Sequence, residues 1–365
     1  MRAWRFYAFG DMRLDEIPVP NLIPRHVLVE PLCVQPSVTE AQLAQGIPTL
    51  AYDRIQRRLE REAPIGLFGH EFCARIVEVG PDVHGYRVGD RVAARAKLPC
   101  GACPLCQSER SHLCRRGPVI GFDQPGCFSE LALLPEIALV KVDDAISDSE
   151  AACLQSLSDS VAAVETAEVG IGDSVVVLGQ GSMGLECLQI ARTRGAGQLI
   201  TVDVRDEACE ISRQLGADHA LNATKCDPVA TILDLTGGNG ADIVFECAGG
   251  SPKQGLAGSG TLRQAIDAVR SGGKIIGVSW FGAPLELDVD RMRERSLRYL
   301  FPDISTQAHL EFTVRLMASG RVNMGPTIRH ILHGLESVPE AFEITAHKGK
   351  YQAINPAQVM MKRPA

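Results

Sequence analysis

The run Gly179-Gln-Gly181-Ser182-Met183-Gly184 follows directly on the apolar stretch Ser174-Val-Val-Val-Leu178 and opens a helix through Leu185, Leu188 and Ile190. The first glycine permits a tight turn, the second lets the backbone approach a pyrophosphate, and the third lets the helix pack closely on the strand. Phosphate charge then meets the free N–H groups of the helix N-terminus. Asp203 closes the next apolar run, at the distance of about 20 residues where an acidic side chain accepts hydrogen bonds from the adenosine ribose and repels a 2′-phosphate. The chemistry implied is dinucleotide binding, NAD rather than NADP, through Gly179, Gly181, Ser182, Met183, Gly184 and Asp203. Arg205, two residues beyond, weighs toward the phosphorylated cofactor. The plainer alternatives are an empty glycine turn and Asp203 as a helix cap, but the strand before and the helix after the triplet favour the ligand.

A second constellation is Cys100-Gly-Ala-Cys103-Pro-Leu-Cys106, followed by Cys114. Four thiolates in one short loop supply the full donor set of a closed tetrahedral zinc site, which has no open position and is therefore structural. The residues between them are mostly polar or turn-forming, which argues against four thiols packed as core.

These sites need elements to hold them. With 365 residues the chain is long enough for two domains. From Met1 to about Asp143 short β-type runs alternate with Gly and Pro, among them 26–30, 74–79 and 91–94. A helical stretch from Ser149 to Ala167 then leads into strands at 174–178, 198–204, 242–248, 274–278 and 297–301, separated by amphipathic helices. Such alternation predicts an α/β fold, a doubly wound parallel sheet with right-handed crossovers, over residues 151–305. Residues 1–150 form a mostly β domain to which 306–365 return, through one helix ending near Gly320 and then β-like sequence. The net charge of −7 without basic clusters excludes nucleic acid and anionic membrane as partners, and no stretch approaches the roughly 18 apolar residues of a membrane span. Twelve cysteines without a secretory leader read as metal ligands and buried thiols of a cytoplasmic protein.

The cysteine lobe ahead of the dinucleotide unit, with Gly69-His70-Glu71 upstream and Gly85-Tyr-Arg-Val-Gly-Asp-Arg-Val92, resembles the zinc-type medium-chain dehydrogenase/reductase family, which includes alcohol, sorbitol and threonine dehydrogenases. The resemblance covers nearly the whole chain. It implies a GroES-like catalytic domain built from both chain ends, a Rossmann domain, assembly as a homodimer or homotetramer, and hydride transfer between a nicotinamide and a small alcohol or carbonyl. It also implies a catalytic zinc held by an early Cys, the His of Gly-His-Glu, and a Cys, Asp or Glu ahead of the Rossmann strands. In this chain the family's Cys-Gly-Thr-Asp run falls on Ser37-Val38-Thr39-Glu40, and the acidic ligand falls on Gln155. A hydroxyl and an amide are poor zinc ligands beside a thiolate and a carboxylate.

Three readings stay open. The site binds no metal, and Ser37, Thr39 and His70 hydrogen-bond the substrate oxygen. Alternatively zinc is held by His70 and Glu71 with Cys33 or Cys153. In the third, the chain binds NAD without catalysis. An enzyme that reduces activated alkenes or carbonyls without metal is a further alternative to an NAD-dependent dehydrogenase of a secondary alcohol or polyol. Thr39 stands where the family passes the substrate proton to solvent. Arg54, Arg57, Arg58 and Arg61 point to an anionic substrate or, more simply, to a solvated helix face on which Arg57 pairs with Glu60 and Arg58 with Glu62. The stretch Gly249 to Gly260 reads as a loop over the nicotinamide.

Overall fold

Val175, Val176 and Val177 are fully buried, as a strand covered on both faces requires. Their strand, Ser174–Leu178, is the third of six parallel strands in the order His219–Asn222, Gln198–Asp203, Ser174–Leu178, Ala241–Glu246, Val269–Gly277, Arg298–Leu300. In chain order this is 3-2-1-4-5-6, the doubly wound Rossmann arrangement, with the reversal beside the strand that carries the glycine turn. The computed structural model describes residues 1–108, 110–250, 258–282 and 284–362. The chain divides into two compact units, one of residues 1–158, 304–319 and 328–365, the other of 159–303 and 320–327. Of the stretch Gly249 to Gly260, residues 251–257 lie outside the described residues, and with them most of the expected nicotinamide loop.

The first unit is the GroES-like part. It is built on the long strand His26–Gln35, which pairs antiparallel with Glu71–Val79, Ala132–Pro135 and Gln358–Met360. Val27, Val29, Val34 and Gln35 are buried along it. Phe6 from the N-terminal strand, Phe68, Phe128 and Phe342 from the helix Val338–Ala346 share one aromatic core. The Phe6 and Phe68 rings meet edge to face at 4.9 Å, and Phe342 lies 5.2 Å from Phe128. Both chain ends are thus needed to close this core.

Two segments differ from expectation. The helical stretch from Ser149 to Ala167 is two helices, Asp148–Ala151 and Leu154–Ala167. The break falls where the Ser149 carbonyl accepts from the Gln358 side chain at 2.9 Å, a competitor to the helical ladder. The C-terminal region holds helices at Val338–Ala346 and Lys348–Tyr351 between strands of three residues each, Ile331–His333 and Gln358–Met360. Pro339 lies in the first turn of the longer helix, where its missing N–H costs nothing, so it starts the helix rather than breaking strand. Among the described residues no helix is long and apolar enough to cross a membrane.

Phe68→Ala is expected to destabilise the first unit by about 3–5 kcal/mol, the cost of an aromatic cavity in a closed core. Val88, 62% exposed, serves as the control, its change to Ala shifting stability by less than about 0.5 kcal/mol. Urea unfolding of both variants measures the difference.

Candidate active site

In the second unit the three glycines occupy three different environments. Gly179 has φ +91°, and a Cβ there would lie 2.6 Å from Ala248 Cβ, so only glycine makes the turn. A Cβ on Gly184 would lie 1.8 Å from the Gly179 carbonyl oxygen, which fixes how closely the helix Ser182–Arg194 packs on the strand. Gly181 is the residue before that helix, and a Cβ there would meet nothing within 4 Å. That open position, at the positive end of the helix, fits a pyrophosphate. The Asp203 carboxylate accepts from the Gln180 amide through Oδ2 (2.7 Å) and from the Arg205 amide (3.0 Å) and guanidinium (3.1 Å) through Oδ1. Arg205 is therefore tied to the residue whose charge it opposes. Glu246, fully buried, accepts from Thr261 (2.7 Å), the Ala248 amide (3.1 Å) and the Ser279 hydroxyl. It holds the segment that abuts Gly179, a role the sequence reading did not assign.

In the first unit a buried network surrounds His70. Ser37 caps the helix Val38–Ala44. Its hydroxyl accepts from the Glu40 amide (3.1 Å), while Glu40 Oε2 accepts from the Ser37 amide (3.0 Å), a complete capping box. Glu40, 0% exposed, uses its other oxygen to accept from the Gly69 amide at 2.9 Å and to meet His70 Nδ1 at 2.5 Å. Gly69 has φ +81°, and a Cβ there would lie 2.8 Å from the Cys127 amide nitrogen, so glycine is what admits this turn. With a carboxylate on Nδ1 the imidazole carries its proton there, and Nε2 presents a lone pair. Nε2 is 4.0 Å from Glu71 Oε1, too far for a hydrogen bond. Glu71 Oε2 instead accepts from Gln35 Nε2 at 2.5 Å. The Gln35 carbonyl in turn accepts from Asn355 (2.9 Å) and Gln358 (2.8 Å). Cys153 lies against the same amides, 3.6 Å from Asn355 Nδ2.

Ser37, Glu40, His70 and Glu71 are thus brought together. Thr39 is half-buried in the first turn after the cap, and Gln155 is buried at the second position of its helix. Gln35, Asn355 and Gln358 were missed. The available signal was a set of amides in otherwise apolar sequence, two of them in strands and Asn355 in the bend before the last strand. On the helix Tyr52–Glu62, Arg58 pairs with Glu62 at 3.1 Å as expected, but Glu60 accepts from Gln56 (3.0 Å) rather than Arg57, because the i,i+4 spacing aligns those two. Arg54 pairs with Asp123 at 3.2 Å.

Among the described residues, the only group of three or more His, Cys, Asp and Glu with ligand atoms within 4.8 Å of one another is Cys100, Cys103, Cys106 and Cys114. Their sulfurs are 3.5 Å (Cys103–Cys106), 3.7 Å (Cys103–Cys114) and 3.9 Å (Cys100–Cys106) apart. Tetrahedral Zn–S bonds of about 2.3 Å require S···S separations of about 3.8 Å. The four thiols fit a structural zinc. The set expected for a catalytic zinc does not fit one: Ser37 is spent on the helix cap, the acidic position is the Gln155 amide, and Cys33 and Cys153 contact Gln358 and Gln35.

Comparison with known proteins agrees with this architecture. A family model described as zinc-binding dehydrogenase matches residues 182–308, and one described as the alcohol dehydrogenase GroES-like domain matches residues 37–144. The chain is 33% identical over 293 residues to the L-threonine 3-dehydrogenase of Symbiobacterium thermophilum, covering 79% of this chain and 78% of that one. It is 29% identical over 345 residues to the enzyme of the same name from Pyrococcus abyssi, covering 92% of each. The solved alcohol dehydrogenase TADH from Thermus sp. ATN1 superposes with a TM-score of 0.82 at 26% identity, covering 99% of this chain and 100% of that one.

Burial pushes the Glu71 carboxyl from 4.5 up to about 7, against the opposing pull of His70 and of the Gln35 hydrogen bond. The folded chain therefore keeps a proton that the unfolded chain releases. This contribution to stability is fully present below about pH 4.5 and is lost as pH rises through about 7. At about 1.4 kcal/mol per tenfold change in proton affinity, the span is roughly 3 kcal/mol. Urea unfolding between about pH 5 and pH 8 is expected to show this fall in the natural chain and a flatter profile in Glu71→Gln. Identical slopes for the two proteins rule the assignment out.

Proposed function

The chain belongs to the zinc-type medium-chain dehydrogenase/reductase family, and within it we propose an NAD-dependent dehydrogenase of a small secondary alcohol or polyol, or of a hydroxy amino acid such as the threonine named for its relatives. That the chain is an NAD(P)-dependent oxidoreductase is given by the family. The choice of NAD rests on one observation, the Asp203 carboxylate at the end of the strand next to the glycine turn. In this reading the amides of Gly181, Ser182, Met183 and Gly184 hold the pyrophosphate and Asp203 accepts from the ribose hydroxyls. Arg205 is held by Asp203 and so kept from a 2′-phosphate. Ser37, Thr39, His70, Glu71 and Gln155 belong to the half of the chain that receives the alcohol.

The sheet ends on the short strand Arg298–Leu300, followed by Phe301, which is 67% exposed. An open edge beside an exposed aromatic supports assembly as a homodimer or homotetramer through this strand. A cytoplasmic location completes the reading. The poor zinc donors also favour a second one, a reductase of activated alkenes or carbonyls.

NADH formation from a panel of secondary alcohols, polyols and threonine tests the first reading. Oxidation of NADH by enones alone establishes the second, and cofactor binding without any turnover sinks both. Asp203→Asn is expected to lower the NAD over NADP ratio of kcat/KM by at least about tenfold, or about 1.4 kcal/mol, by removing the charge that repels the 2′-phosphate. An unchanged ratio would assign cofactor choice to another residue.

A further inference from the structure

We propose that the reacting oxygen exchanges its proton with the imidazole of His70, positioned by the buried carboxylate of Glu40, and that the first unit binds no second zinc. The inference rests on the dehydrogenase reading and adds the group that replaces the metal.

The geometry carries it. Glu40 Oε1 meets His70 Nδ1 at 2.5 Å, and the same oxygen is anchored by the Gly69 amide at 2.9 Å. The other oxygen is anchored by the Ser37 amide at 3.0 Å. The carboxylate cannot turn away from the ring without breaking the helix cap. The Phe122 ring, 5.5 Å from the imidazole centroid, packs beside it and restricts its rotation. A carboxylate–imidazole pair with a fixed tautomer has the architecture of a general base whose orienting partner does not itself take the proton.

Two ligand positions that would make His70 a zinc ligand have been turned to other uses. The hydroxyl of Ser37 accepts the Glu40 amide. Gln155 supplies a neutral amide in place of a carboxylate. The remaining carboxylate, Glu71, is bonded to Gln35, which two further amides hold in a single orientation. A divalent ion there would meet one anionic donor and one imidazole, too little charge to hold it against water.

The step balances without a metal. In the oxidative direction a bound nicotinamide would supply the acceptor for the hydride that the carbinol C–H bond gives up, and this chain's own part is the proton. The O–H bond breaks, its electron pair forms the C=O π bond, and the proton passes to His70 Nε2. The imidazolium is then held against the Glu40 carboxylate. Carbonyl reduction runs the same transfers backward, with His70 as the acid.

The test uses the full-length protein, its His70→Gln and Glu40→Gln variants, and Cys103→Ser. One zinc per chain is expected in the natural protein and in His70→Gln, with that zinc lost from Cys103→Ser. His70→Gln is expected to lower kcat by about 10²- to 10⁴-fold. NAD affinity, read by cofactor fluorescence, should change by less than about twofold, which shows that the variant is folded. Glu40→Gln, acting through the ring, should lower kcat while the KM for alcohol stays within about twofold. Two zincs per chain, one of them missing from His70→Gln, would overturn the proposal. So would a His70→Gln variant that keeps kcat within about threefold of the natural protein. Should the natural protein turn over no alcohol or carbonyl, the dehydrogenase reading fails, while the zinc count still decides the metal-free site.

Discussion

The charge on Glu40 is the constraint around which the first unit is arranged. A fully buried carboxylate costs several kcal/mol unless the protein replaces the water it has lost. Three donors do so, and each comes from a different piece of structure: the Ser37 amide at a helix start, the Gly69 amide at a turn only glycine can make, and the imidazole of His70. Satisfying one charge therefore locks a helix, a turn and the start of the strand Glu71–Val79 into one geometry. His70 is oriented as a by-product of solving a desolvation problem.

The same logic extends one residue along the chain. Glu71 is buried as deeply but receives a neutral amide, Gln35, instead of a cation or a second amide donor from the backbone. Two adjacent carboxyl groups, about equally buried, are thus treated differently. One is surrounded by donors, and the other is pushed toward its protonated form. The hydrogen-bond polarity of the amides explains how the second is kept in place: Gln35 donates to Glu71, so its carbonyl has to accept, and Asn355 and Gln358 from the C-terminal segment provide the donors. The return of the chain end to the first unit is part of the site as well as of the core.

What could be read from the sequence divides along physical lines. The glycine turn and the four cysteines were legible because each depends on local spacing: three glycines in six residues, four thiols in fifteen. The parallel sheet was legible through its central strands, which are apolar on both faces, whereas the half-buried edge strand His219–Asn222 was not placed. Ser37 was not legible as a cap. Its place in the family's ligand run suggested substrate chemistry, and only the backbone geometry shows its hydroxyl turned to Glu40. The amide cluster was hidden for a different reason. Gln35, Cys153 and Asn355 are brought together by contacts across more than a hundred residues, and no one-dimensional pattern marks a buried glutamine as bonded rather than exposed. The C-terminal helices were misread because Pro339 serves equally as a strand breaker and as a helix starter, and the local sequence does not separate the two.

Charge balance connects the two ligand substitutions. The family's ligand set opposes a dication with a thiolate and a carboxylate, so that the ion and its anions nearly cancel within a poorly solvated site. Replacing only the cysteine by serine, with an acid kept at position 155, would leave a buried anion without its cation. On the correspondence that the resemblance implies, Ser37 and Gln155 together remove two negative ligands along with the two positive charges they would serve, leaving the Glu71 carboxyl and the Glu40–His70 pair, which carries its own donors. Serine gains a helix cap in the exchange and glutamine keeps the volume of glutamate. On the correspondence that the resemblance implies, the altered ligand set is a coherent one, in which His70 satisfies its partner Glu40 whether or not an ion is present.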